Sequence, residues 1–178
     1  MKSLLVRSLA ATAIAATATF LATAPASATG KENDPVVSGS DGGMSVLVTK
    51  LTQAQATSRL RAAGITWSSS GNCSDRNNST CTSFEQVNLT TIQGAQTLKS
   101  ASGCALNITG GTETGHASGT FSHWNGYKLD FSLSSCLTGY IQRNFTPIGG
   151  NQWKSAAGNI YFLESNHWDV TYFNCGGC

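Results

Sequence analysis

The sequence predicts an α+β domain in which two or three helices pack on a small antiparallel sheet stapled by disulfides. Three observations point there. Apolar residues recur at helical spacing in two early segments, strict alternation replaces that spacing after Cys104, and all six cysteines lie beyond residue 28.

Residues 1–28, MKSLLVRSLAATAIAATATFLATAPASA, carry Lys2 and Arg7 before an apolar Ala/Thr/Leu stretch and end on Ala26-Ser27-Ala28. That is the pattern of a secretory signal, and its threonines make it too weakly apolar for a membrane span. Losing Lys2 and Arg7 from the 11 basic residues leaves a formally neutral chain against nine acids. With no run of Lys and Arg to track phosphates, nucleic acid is excluded as a natural partner. Residues 29–44, TGKENDPVVSGSDGGM, are polar and aperiodic and read as a flexible leader. Residues 45–178 then form one domain with enough chain for a single core, expected to be an exported monomer.

In LTQAQATSRLRAAG, Thr52 is the expected N-cap, Leu60 and Ala63 fall at helical spacing, and Gly64 is the expected stop. Residues 65–84, dense in Ser, Asn and Gly, read as a loop tied by Cys73 and Cys81. TIQGAQTLKSASG predicts a second helix with Ile92, Ala95 and Leu98 on one stripe before Gly103. CALNITGG, KLDFSL, NIYFLES and HWDVTYF alternate as strands do. On the second of these, Leu129 and Phe131 face the core and Asp130 the other side. On the last, His167, Asp169 and Thr171 share one face and Trp168, Val170 and Tyr172 the other, so that two polar sheet faces are expected to meet. The remaining cysteines suggest Cys104 to Cys136 and Cys175 to Cys178. The terminal CGGC also leaves open a redox pair or a partner elsewhere. Trp124, Tyr127, Trp153 and Trp168 are expected in the core or along a cleft wall.

With three histidines in the whole chain, the segment SHWNGYKLD places one of them seven residues before an acid, around a glycine. Together with the later ESNHW, it resembles the zinc D-alanyl-D-alanine carboxypeptidases and related hedgehog-type peptidoglycan peptidases. Their pattern is Ser-x-His-x-x-Gly-x-Ala-x-Asp followed by Glu-x-x-His. The resemblance spans roughly residues 90–172 and implies a hedgehog/DD-peptidase-like fold. It also implies Zn2+ held by His123, Asp130 and His167, Gly126 as a turn residue, Glu164 as general base and a peptidoglycan stem peptide as substrate. The chemistry is coherent: a hydrolytic zinc takes three nitrogen or carboxylate ligands and leaves a fourth position to water, whose pKa falls to about 7. Glu164 lies three residues before His167, so the two meet only if Ser165-Asn166 bends the chain.

His116, also a candidate catalytic residue, has three open roles: a donor to the oxyanion, a substrate-orienting group, or a replacement for one ligand. Two departures from the family pattern stand out. No arginine lies between Arg76 and Arg143, where Glu113 and Thr112 occupy the segment before the motif, and Lys128 replaces a small residue on the strand face of Asp130. Lys128 is expected to pair with Asp130 or to reach the substrate. A non-catalytic zinc-containing wall- or partner-binding protein of the same fold is the alternative function, and a metal-free disulfide-tied inhibitor or toxin a more distant one.

Overall fold

Thr52 opens the first helix as the expected N-cap, and the structure makes the bond reciprocal. Its Oγ1 accepts from Gln55 N at 3.3 Å while Gln55 Oε1 accepts from Thr52 N at 2.9 Å. The computed structural model describes residues 48–173, so the expected signal, the leader and the Cys175–Cys178 pairing lie outside the described residues. Helix α1 is Gln53–Ala62, preceded by the short strand β1, Lys50–Leu51. Strand β2, Thr66–Trp67, follows within the segment expected to be all loop. Strand β3, Val87–Asn88, pairs antiparallel with β1 and runs into helix α2, Leu89–Ser102. Gly103 ends α2 in the left-handed conformation at φ 66°.

The expected strands appear as β4 (Asn107–Gly110), β5 (Lys128–Ser132), β8 (Ile160–Leu163) and β9 (His167–Thr171). The third helix is α3, Ser135–Asn144, whose N-cap Ser134 accepts from Leu137 N. After it comes a hairpin of β6 (Thr146–Gly149) and β7 (Gln152–Lys154). The larger sheet runs β2-β4-β5-β9-β8-β7-β6, antiparallel throughout except for the parallel β2–β4 pair.

Core burial follows the predicted alternation. Leu129, Phe131, Trp168 and Val170 are each 0% exposed, and each contributes about 1.5–3 kcal/mol relative to an exposed position. They pack with Ile92 and Ala95 of α2 and with Leu137 and Ile141 of α3. Trp168 Nε1 satisfies its donor on Thr138 Oγ1 at 3.1 Å, which docks α3 on β9. Of the other aromatics, Trp153 packs partly buried on the core, while Trp124 stays 45% exposed.

The two expected disulfides within the described residues are present: Cys73–Cys81 and Cys104–Cys136. The first closes the polar loop. The second joins the segment before β4 to α3. Among the described residues, no helix is long and apolar enough to cross a membrane.

Candidate metal centre

The polar face arises differently from the expected meeting of two sheet faces: β5 and β9 are neighbours, with Asp130 directly opposite Asp169 in register. It is therefore one face of one ladder. Two carboxylates at opposed positions repel, so this face calls for positive charge, and the surrounding residues bring it.

The turn before β5 delivers His123. Gly126 N donates to His123 O at 2.8 Å, and Gly126 itself sits at φ 78°, where an added Cβ would lie 2.6 Å from Gln86 O. The expected turn residue must be glycine. At the other side, Gly110 of β4 lets the strand pass against Asp130, since a Cβ there would meet Asp130 Oδ2 at 2.3 Å.

His123 is 3% exposed, and its Nδ1 lies 2.7 Å from Gly111 O. A carbonyl only accepts, so Nδ1 carries the proton and the neutral ring turns its Nε2 lone pair inward. That nitrogen stands 3.2 Å from Asp130 Oδ1 and 3.7 Å from Asp169 Oδ2. Asp130 Oδ1 is buried with no hydrogen-bond donor beyond what the ring nitrogens of His123, at 3.2 Å, and His167, at 3.5 Å, offer when protonated. Two acceptors facing each other in the interior need a cation between them. Ligands on a tetrahedral zinc are roughly 3.3 Å apart, and this pair has that spacing. Without a metal, a proton serves: burial lowers the His123 pKa, but the Asp130 and Asp169 carboxylates outweigh it and raise it to about 9.

His116 stacks on His123 with ring centroids 3.8 Å apart. Its Nε2 contacts Glu113 Oε1 at 3.1 Å, and its Nδ1 faces Asp130 Oδ2 at 3.8 Å. Candidate ligand atoms of His116, His123 and Asp130 all lie within 4.8 Å of one another, so this group can hold a metal ion. Among the described residues, this candidate group takes in His116 and leaves out His167.

His167 approaches Asp130 Oδ1 from the other side, with its Nε2 at 3.5 Å and its Nδ1 bonded to Asn166 Oδ1 at 2.7 Å. Glu164 Oε2 is 3.4 Å from the same Nε2. The expected bend at Ser165-Asn166 is there, closed by Glu164 N donating to His167 O at 3.0 Å. These residues line one cleft of about 280 Å³ with Gly115, Ala117, Lys128 and Asp169.

Lys128 does not pair with Asp130 as expected. It reaches across the ladder to Asp169, 2.7 Å from Oδ2, because Thr171 rather than Asp169 is its direct cross-strand neighbour and the long stem spans the diagonal. Burial raises the Asp169 pKa, and the charges of His123 and Lys128 outweigh it and hold it below the ordinary value.

Sequence reasoning placed Asp169 on this face but gave it no role, and it named Glu113 only as an occupant of the segment before the motif. Signals for both were present: the two-residue spacing from His167 and the three-residue spacing to His116. Arg76, remote in sequence, comes to that same segment from the Cys73–Cys81 loop. Its Nε donates to Thr112 O at 3.2 Å, a second nitrogen donates to Trp124 O, and its guanidinium lies 3.8 Å from the Trp124 ring centroid.

No protein-family model matches this chain, and no curated protein or solved structure matches it.

Proposed function

We propose that the protein is a secreted zinc-dependent peptidase that hydrolyses peptidoglycan stem-peptide bonds next to D-amino acids. One observation carries the reading: a buried Asp130 oxygen without a hydrogen-bond donor faces the inward nitrogen of His123, whose outer nitrogen is already tied. Imidazole nitrogen and carboxylate oxygen suit zinc. The substrate class rests on the ordered His123, Gly126, Asp130, Glu164 and His167 pattern, and export on the character of residues 1–28 together with two disulfides.

His116, His123 and Asp130 are the holding residues, with His167 at the cleft side. When bound, the ion supplies Lewis acidity to a carbonyl and to water. Glu164, 38% exposed at its side chain, takes the proton of the adding water and returns it to the leaving amine. His167 Nε2 stands between Glu164 Oε2, at 3.4 Å, and Asp130 Oδ1, at 3.5 Å. Lys128 neutralises Asp169 and leaves Asp130 free. A second reading makes His167 the third ligand in place of His116, favoured by its shorter approach to Asp130, 3.5 Å against 3.8 Å.

Metal analysis of the purified protein, paired with cleavage of defined stem peptides, tests this. The wild type is expected to hold stoichiometric zinc and to lose activity to a chelator. Glu164→Gln is expected to retain zinc while its rate falls about 10²- to 10⁴-fold. His116→Ala and His167→Ala decide the third ligand by which one empties the site. Folded protein that takes up no zinc would end the proposal, and binding without turnover would move the protein to the class of wall-binding proteins.

A further inference from the structure

Building on the metal reading above, we infer that Glu113 is a positioning residue that sets which nitrogen of His116 faces Asp130. Glu113 is 3% exposed and lies outside the set of residues lining the metal cleft, behind His116. Its Oε2 accepts from Ser83 N at 2.7 Å and Gly111 N at 3.1 Å, and its Oε1 accepts from Gly111 N at 3.0 Å. The same Oε1 stands 3.1 Å from His116 Nε2. An ionised carboxylate only accepts, so the proton in that contact belongs to His116 Nε2 and the lone pair of the neutral ring falls on Nδ1, towards Asp130.

The second imidazole is set by a backbone carbonyl of the same loop. Glu113 holds the N–H of Gly111, and the carbonyl of Gly111 takes the Nδ1 proton of His123 at 2.7 Å. The two rings are thus tied at their outer nitrogens, His116 to the buried carboxylate and His123 to the Gly111 carbonyl. Both present lone pairs to the same acid.

Glu113→Gln separates this role from simple packing. The amide keeps the shape but has one acceptor oxygen. When that oxygen serves the Ser83 and Gly111 N–H groups, its NH₂ faces His116 Nε2 and reverses the tautomer. A proton on Nδ1 then points at Asp130 where the lone pair stood.

The test is long-range ¹⁵N–¹H NMR of the histidine rings in zinc-free full-length protein in alkaline buffer, with Zn²⁺ titrated separately against a competing chelator. His116 is expected as the Nε2–H tautomer and His123 as Nδ1–H. In Glu113→Gln, His116 should switch to Nδ1–H and zinc affinity should fall about 10- to 100-fold. A wild-type His116 carrying its proton on Nδ1 would overturn the inference, even if the variant fails to fold. Unchanged tautomer and affinity in a folded variant would overturn it while leaving the metal reading standing. The expected tautomers in a protein that binds no zinc would support the positioning role and sink the metal reading alone.

Discussion

The two faces of the β5–β9 ladder are built from the same backbone yet held by different physics. Leu129, Phe131, Trp168 and Val170 fill one face at 0% exposure, where burial is non-directional and shape alone discriminates. On the other, Asp130 opposes Asp169 and each needs a specific cation: Lys128 for Asp169, and a proton or metal between Asp130 and His123. A slip of one residue in register would exchange the two sets. The apolar face therefore fixes the register, and the polar face uses it to bring charged groups together that no local preference would assemble.

Neighbouring substitutions should pull the two faces apart. Under the proposed metallopeptidase reading, Asp130→Ala is expected to reduce zinc content and activity to background while leaving a folded protein. Phe131→Ala should lower unfolding free energy by about 3–5 kcal/mol and keep zinc in whatever remains folded. Urea titration with metal analysis of both variants checks this; matched losses of zinc and stability in the two would erase the distinction.

Smaller in effect, pH should act on the polar face of this ladder and not on its apolar one. In metal-free protein the His123 pKa is raised to about 9 from the ordinary 6.5. Its stabilisation is thus fully present below 6.5 and lost as pH rises through about 9. A metal ion taken up at His123, zinc in the proposed reading, must displace that proton, so its affinity should climb over the same window. Thermal unfolding and zinc titration across it measure both trends, and a flat profile in each would remove the proton from between His123 and Asp130. The smallest change expected is Lys128→Met, about 1 kcal/mol or less in thermal unfolding, because the Lys128 side chain is partly solvated. A loss of several kcal/mol would mean that Asp169 has no other cation to rely on.

What the sequence made legible was whatever left a periodic or capping trace. Thr52, Gly64 and Gly103 bounded α1 and α2, and alternation around Asp130 and Asp169 sorted both strands correctly. Strands β1, β2 and β3 are two residues each, too short to show any period. The β6–β7 hairpin escaped because Thr146–Gly149 is exposed throughout and contains Pro147, which argues against a strand. Helix α3 did carry a signal, Ser134 before Leu137 and Ile141, which the glycine within it and the preceding strand obscured. In the site, individual residues were legible but their pairings were not. That Asp130 faces Asp169, or that Lys128 crosses to the diagonal, depends on a non-local strand pairing that spacing along the chain does not encode.

The Cys104–Cys136 bond, 32 residues apart, encircles the stretch carrying Glu113, His116, His123 and Asp130. A single protease cut inside that ring yields two peptides that stay covalently joined, each end still anchored beside the sheet. Such damage would be visible only on a reducing gel, and the pieces would remain tethered near their original places.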